Sequence, residues 1–239
     1  MYKNSIQFKV WGRYALFTDP LTKLGGEKYS YHLPTYEALK GICKSIYWKP
    51  TLIWLVDEAR VMKRIRTQTK GTKPQEFGGG NTLAIYTFLA DVEYQVRAHF
   101  EWNERRPALQ ADRIDGKHYA IAQRMLERGG RQDVFLGTRD CQGYVEPYEF
   151  GSDSGELDGA GELSFGLMFH GFDYPDETGG DKLYARFWKP TLRDGVIRFD
   201  RPEGCTIRRF VRDMRVKEFD LDQNQRRVAD DIPEAGLSV

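Results

Sequence analysis

Lys117 and His118 stand together just past Asp115-Gly116, at the head of a stretch (115–128) in which Ile121, Ala122, Met125 and Leu126 recur at helical spacing before Gly129-Gly130. That position breaks a local rule. The positive end of a helix dipole disfavours cations in the first turn and favours acids there. Departures of this kind collect at functional sites. Free backbone N–H groups at a helix start favour an anion such as phosphate. Imidazole beside an ammonium then makes a proton-transfer group next to a cation able to hold an oxyanion. His118 also shares its helical face with Ile121, Ala122 and Met125, so it can simply cap the core. Local sequence alone favours that structural role.

A partner for this pair is Tyr47. Thr35 reads as a helix N-cap, and Tyr36, Leu39, Ile42, Cys43 and Ile46 then recur at helical spacing. Tyr47 closes that run just before Trp48-Lys49-Pro50, where the proline stops it. If both helices pack on one face of one sheet, the end of the first meets the start of an antiparallel second. Tyr47 then approaches Lys117-His118. Cleaving RNA without a metal needs few parts: a base for the ribose 2′-OH, a cation for the charge that builds on the phosphorane, and an acid for the departing 5′-oxygen. His, Lys and Tyr can supply all three. A helix-end tyrosine with its ring on the core is the plainer alternative.

Other chemistries lack their residues. The chain has no GxxxxGK[ST], no GxGxxG between a strand and a helix, no HExxH and no GxSxG. None of His32, His99, His118 and His170 pairs with another at ligand spacing. The acidic stretch 153–162 resembles a calcium loop but puts Gly155 where a ligand is needed, so it reads as a flexible linker. Cys43, Cys141 and Cys205 are odd in number, far apart and free of any CxxC pattern. That suits reduced thiols and neither a disulfide frame nor a zinc site. No metal and no cofactor are expected.

With 239 residues, 40% hydrophobic and 30% charged, the chain can bury a sizeable core beneath a solvated surface. Mean hydropathy is polar at -0.61. No apolar run approaches the roughly 20 residues of a membrane span, and the first residues lead into a strand-like pattern with no signal-peptide core. A cytoplasmic protein without membrane contact is expected. The net charge of +1 sums 36 basic and 35 acidic residues, but the charges are segregated. Lys63, Arg64, Arg66, Lys70 and Lys73 form one basic block, Arg124, Arg128 and Arg131 a second, and Arg208, Arg209, Arg212 and Arg215 a third. Acids gather in 153–181 and in the tail 218–234. Segregation gives a neutral protein a face for a polyanion, although any one block also suits an ordinary solvated face.

The elements that must position these residues follow from periodicity. Ile6, Phe8 and Val10 alternate as a strand ending at Gly12, and a loop through Pro20, Gly25, Gly26 and Pro34 leads to the first helix. Residues 51–56 read as a central strand that extends to Arg66. Residues 70–81, with Gly71, Pro74 and Gly78-Gly79-Gly80, read as a loop or hairpin tip, and 82–102 as one long strand or two. The second helix and a short strand at 144–150 complete β-α-β-β-α-β. This is the order of a ferredoxin-like (RRM-like) α+β domain with an extended β-hairpin, residues 1–150. Strand-like runs at 163–172, 183–188 and 196–199 predict a small antiparallel β-sheet domain over 151–239, with a polar tail from Asp213. The pentapeptide Trp-Lys-Pro-Thr-Leu occurs at 48–52 and again at 188–192 with unmatched flanks, which is coincidence and not duplication.

The segments Gly12-Arg13-Tyr14-Ala15-Leu16-Phe17, Tyr29-Ser30-Tyr31-His32-Leu33-Pro34-Thr35, Ala38-Leu39 and Gly41-Ile42 resemble the start of the CRISPR-associated "Cas five" proteins of the repeat-associated (RAMP) superfamily. Asp115-Gly116-Lys117-His118-Tyr119 resembles the d branch of type I-C (Dvulg) systems. The resemblance implies a ferredoxin-like domain followed by a small C-terminal sheet. It implies a metal-independent endoribonuclease that cuts the repeat hairpin of precursor crRNA by 2′-OH attack, leaving a 2′,3′-cyclic phosphate. The enzyme would then stay on the mature crRNA 5′ handle among the other subunits of the type I-C interference complex. The family's catalytic set matches Tyr47, Lys117 and His118 here, and which of His118 and Tyr47 acts as base stays open. The superfamily's glycine-rich loop has no clean counterpart; Gly159, Gly161 and Gly166 come nearest. Arg64, Arg66 and Lys70 are the residues expected to grip RNA, through backbone charge and A-form shape. The rival reading is a non-catalytic subunit that binds the crRNA handle. An RRM-type sequence reader lacks its aromatic strand motif.

Overall fold

Alternation along the first strand, β1 (Ser5–Ala15), decides which way the main sheet faces. Ile6, Phe8 and Val10 are fully buried on one side, while Gln7, Lys9 and Trp11 turn to the other. The structure, a computed structural model, describes residues 3–19 and 27–216. Pro20, Gly25 and Gly26 of the first loop, and the tail from residue 217, lie outside the described residues. After β1 come β2 (Lys28–Tyr29), α1 (Tyr36–Ile46), β3 (Leu52–Val61), β4 (Thr67–Thr72), β5 (Ala84–Trp102), a 3-10 turn (Pro107–Asp112) and α2 (Lys117–Glu127). There follow β6 (Val134–Phe135), β7 (Gln142–Pro147), β8 (Glu162–Ser164), β9 (Met168–Asp173), the single-turn α3 (Pro175–Thr178), β10 (Lys182–Trp188), β11 (Thr191–Arg193), β12 (Val196–Arg198) and β13 (Ile207–Asp213).

The fold is mixed α/β with two mostly antiparallel sheets. The larger runs β6-β7-β1-β5-β3-β12-β11-β8, with β2 and β4 also paired to β5; the smaller is β13-β10-β9. Opposed residues share a face, so the pairs Ile6/Ala98, Phe8/Val96 and Trp54/Phe100 build one apolar surface. Against it α1 buries Tyr36, Leu39, Ile42, Cys43 and Ile46, and α2 buries Ala122 and Leu126 beside His118. Thr35 caps α1 by accepting the Ala38 N–H at 3.2 Å. The hairpin expected around residues 70–81 is β4 paired with the first half of β5. Just past this pairing, Asp91 of β5 adopts φ 53 and holds Lys63 at 2.8 Å and Arg66 at 3.0 Å. Among the described residues no helix is long and apolar enough to cross a membrane.

The stretch after residue 150 departs from expectation in two ways. The acidic segment read as a flexible linker is pinned across the polar face of the main sheet. Arg60, nearly buried on β3, needs partners for its guanidinium and finds the Asp158 carboxylate at 2.5 Å and the Asp153 carbonyl at 2.6 Å. Gln7 and Gln95 accept the backbone N–H groups of Phe150 and Gly151 at 2.8 and 2.7 Å. The later strands also do not keep to one sheet. β12 pairs with β3 and carries β11 and β8 into the large sheet, while β9, β10 and β13 form the small one. Two of these strands leave little trace in the pattern. β11 has only three residues, and the arginines of β13 mask its alternation.

The small sheet is fastened to α1 by buried polar side chains. His170 has no exposed surface and stacks on Tyr36 with ring centroids 4.2 Å apart. It donates from Nε2 to the Asp200 carbonyl at 2.9 Å, while Arg186 Nε approaches Nδ1 at 3.4 Å. Burial, aided by the Arg186 charge, lowers its pKa to about 3. Lys40, also buried, pairs with Glu177 of α3.

A histidine kept neutral when folded binds its proton only on unfolding. His170 therefore costs stability progressively as pH falls below its unfolded value of about 6.5 towards 3. Urea denaturation of His170→Gln should show a flatter loss of stability across that window than wild type. Gly137 adopts φ +98, and a Cβ there would lie 2.0 Å from the Leu16 carbonyl oxygen. Gly137→Ala is expected to cost roughly 2–4 kcal/mol, read from the same denaturation curves.

Candidate active site

Tyr47 is held at both ends. Its backbone closes α1 in an extended conformation, donating to the Cys43 carbonyl at 3.0 Å, while its own carbonyl accepts the Trp54 indole N–H at 2.7 Å. The phenol thus points from the end of α1 towards the start of α2. That start depends on Gly116, whose φ of 74 lies in the left-handed region that favours glycine. Nothing crowds a Cβ there, so the demand is purely conformational. Gly116 turns the chain so that Lys117 and His118 open the helix side by side.

The structure brings the three residues together. Tyr47 Oη lies 2.9 Å from His118 Nδ1. On the far side of the ring, His118 Nε2 lies 2.7 Å from the main-chain oxygen of Asp112. A carbonyl only accepts, so Nε2 carries the proton, and in the neutral ring Nδ1 accepts from the phenol. The hydrogen bonds thereby set the tautomer. His118 has no exposed surface and Tyr47 almost none. Trp102 and Phe100 stand edge-on to the imidazole, with centroids 5.5 and 6.5 Å away. Burial chiefly, reinforced by the Asp112 carboxylate and opposed by Arg131, raises the Tyr47 pKa, so its O–H stays protonated and donating at neutral pH.

Lys117 occupies the rim. Its side chain is 39% exposed, and the ammonium sits 2.5 Å from Asp112 Oδ1, which relieves the conflict between a cation and the helix start. Asp112 is the last residue of the 3-10 turn. Its carboxylate also accepts from Thr51 Oγ1 at 2.7 Å and stands 3.4 Å from His118 Nε2. Hydrogen bonds from Lys117 and Thr51 lower its pKa and keep it ionised. Trp48, next to Tyr47, is 41% exposed, and its carbonyl accepts from Arg131 at 3.4 Å. The result is a dry imidazole–phenol pair with a cation and an exposed indole at its edge. Sequence reasoning missed Asp112, Thr51, Phe100 and Trp102. Asp112 offers one usable signal, an acid placed just ahead of a helix start that carries basic residues.

Arg64, Arg66 and Lys70 are not brought to this site. They follow the far end of β3, whose ten residues span about 33 Å from the Tyr47 side. Arg64 faces Glu156 at 3.5 Å and Arg66 faces Asp91 at 3.0 Å, both as exposed pairs. Lys70 lies 3.5 Å above the Tyr14 ring. Among the described residues, no group of three or more His, Cys, Asp and Glu side chains is placed to share a metal ion.

The site is thus a dry His–Tyr pair edged by lysine, on a two-helix face of an antiparallel sheet. The Cas5d model of the family described as "CRISPR-associated protein (Cas_Cas5)" matches residues 5–200. The chain belongs to that family. It is similar to the CRISPR pre-crRNA endoribonuclease Cas5d of Mannheimia succiniciproducens, with 28% identity over 222 residues covering 81% of this chain and 94% of that protein. It is also similar to the protein of the same name from Thermus thermophilus, at 27% over 188 residues covering 74% and 77%. A crystal structure of a CRISPR-associated protein aligns with a TM-score of 0.73 at 34% identity, over 87% of this chain and 98% of that one.

Tyr47→Phe removes the donor to Nδ1 and strands an acceptor in a site that water does not reach. The variant is expected to lose about 1–3 kcal/mol in urea denaturation. An unchanged denaturation midpoint would mean that the phenol does not supply that hydrogen bond.

Proposed function

We propose that this chain is a metal-independent endoribonuclease that cuts the repeat hairpin of precursor crRNA and keeps the 5′ handle of its product. The observation that carries the reading is the convergence of Tyr47, His118 and Lys117 from two helix ends. Membership of the Cas5d family, and the printed names of the two curated relatives, supply the substrate class. The remaining partners in this reading are the other subunits of a type I-C interference complex, and the compartment is the cytoplasm.

The reaction needs no cofactor. The 2′-oxygen gives its proton to the His118–Tyr47 pair and attacks the adjacent phosphorus. The P–O5′ bond breaks, and O5′ takes a proton from the same pair. The products are a 2′,3′-cyclic phosphate and a 5′-hydroxyl. Lys117, exposed at the rim, meets the charge that develops on the phosphorane oxygens. With both imidazole nitrogens engaged in the free protein, the substrate reaches them either through the Tyr47 phenol or by displacing the Asp112 carbonyl. Arg64, Arg66 and Lys70 are assigned to the RNA backbone at a distance from the chemistry, where each is free to exchange a weak surface ion pair or ring contact for phosphate.

The frame for this site is read as ferredoxin-like. Supporting it, β1, β3, β5 and β7 stand in the order β7-β1-β5-β3, with α1 following β1 and α2 following β5. Residues 1–150 are then the catalytic unit, and 151–239 the part that contacts RNA or neighbouring subunits. Complete burial of His118 favours one rival, in which the histidine only caps the core of a handle-binding subunit.

Incubating the protein with a repeat hairpin in excess EDTA separates the two. Cleavage should persist, and a 2′-deoxy nucleotide at the scission site should block it. His118→Ala should abolish cutting while leaving hairpin affinity nearly unchanged. Binding without cleavage by the wild type, or a large loss of affinity in the variant, would favour the structural role.

A further inference from the structure

Asp112 touches Lys117, His118 and Thr51 at once, yet it belongs to neither helix. Its main-chain oxygen takes the His118 Nε2 proton at 2.7 Å, Oδ1 takes the Lys117 ammonium at 2.5 Å, and Oδ2 takes the Thr51 hydroxyl at 2.7 Å while standing 3.4 Å from Nε2. We propose that Asp112 is a positioning residue for the cleavage reaction, fixing the Lys117 ammonium and backing the His118 imidazole from the side opposite Tyr47. The inference rests on the endoribonuclease reading and adds to it a fourth residue with a separate task.

Three physical points support the assignment. A lysine ammonium on a four-carbon stem has many rotamers, and a cation meant for one phosphorane oxygen gains from being held before substrate arrives. The carboxylate that holds it is itself fixed by the buried Thr51 hydroxyl. Next, an imidazole that takes the 2′-OH proton becomes a cation inside an aromatic pocket. A carboxylate 3.4 Å from the far nitrogen offsets that charge, as the third member of a nucleophile–base–acid array does. Finally, Asp112 and Lys117 side chains are 29% and 39% exposed. A pair this open to water adds little to stability, so fold maintenance does not explain its geometry.

The Arg113 side chain anchors the turn that delivers Asp112, donating to the Asn103 carbonyl at 3.0 Å. The carboxylate is thus presented by a braced segment. Arg131 acts on Tyr47 in the opposite sense to Asp112.

The test compares wild type, Asp112→Asn and Asp112→Glu in single-turnover cleavage of the repeat hairpin, with hairpin binding and thermal melting measured alongside. Asp112→Asn should slow the cleavage step by about tenfold or more, with affinity changed by no more than about twofold and melting unaltered. Asp112→Glu should recover part of the rate. A readout independent of cleavage is the titration of the Tyr47 phenol, followed by the 13Cζ shift of labelled tyrosine. Its midpoint should fall in Asp112→Asn, because the carboxylate helps to hold it up. An Asp112→Asn variant that cuts as fast as wild type, or a Tyr47 midpoint that stays put, overturns this inference alone. Wild-type protein that leaves the hairpin intact would sink the endoribonuclease reading and this inference with it.

Discussion

A buried imidazole must place both of its ring nitrogens, because a polar atom stranded away from water costs more than its hydrogen bond would have contributed. His118 meets that constraint with the Tyr47 phenol on one side and the Asp112 carbonyl on the other. Much of the neighbouring architecture serves the same geometry. Trp54 fastens the Tyr47 carbonyl, and Gly116 turns the chain into the second helix. The Thr51 hydroxyl ties the Asp112 carboxylate to the entrance of β3. The end of one helix, the start of the other, and the 3-10 turn before it are clamped around a single ring.

The clamp also divides the site into a dry part and a wet one. Inside, the imidazole and phenol are hydrogen-bonded to each other, and Trp102 and Phe100 shield the ring. At the rim, Lys117 and Asp112 keep their charges in partial contact with solvent. A proton taken up by the ring during reaction would therefore place its charge next to a carboxylate already in position. The polar face of the sheet behaves differently. There Arg60 draws the acidic segment 153–158 across the sheet and converts a loop rich in small and charged residues into a braced strap.

How much of this is legible in the sequence depends on the range of the interaction. Lys117-His118 stands out because it violates a preference belonging to one helical turn. Tyr47 is found by counting along the first helix to the proline that stops it. The long strands show their alternation or their apolar runs. Asp112 shows only as an acid ahead of a basic helix start, because it lies in a turn without periodicity and its Thr51 partner is far away in the chain. β11 is too short to carry a period, and the arginines of β13 disguise an edge strand as solvated surface. Segment 151–161 reads as a linker until the guanidinium that holds it is known. Local rules find the elements and the first members of the site, while tertiary contacts supply the rest.

The central claim is that the Tyr47–His118 pair directs a ribose 2′-oxygen onto its own phosphate. The chemical identity of the new end on the upstream RNA fragment tests this most directly, and mass spectrometry of the cleaved hairpin reads it. The account predicts a 2′,3′-cyclic phosphate, or the monophosphate formed when that ring opens, facing a 5′-hydroxyl on the downstream fragment. A 3′-hydroxyl opposite a 5′-phosphate would contradict it, since water and not the ribose would then have been the nucleophile.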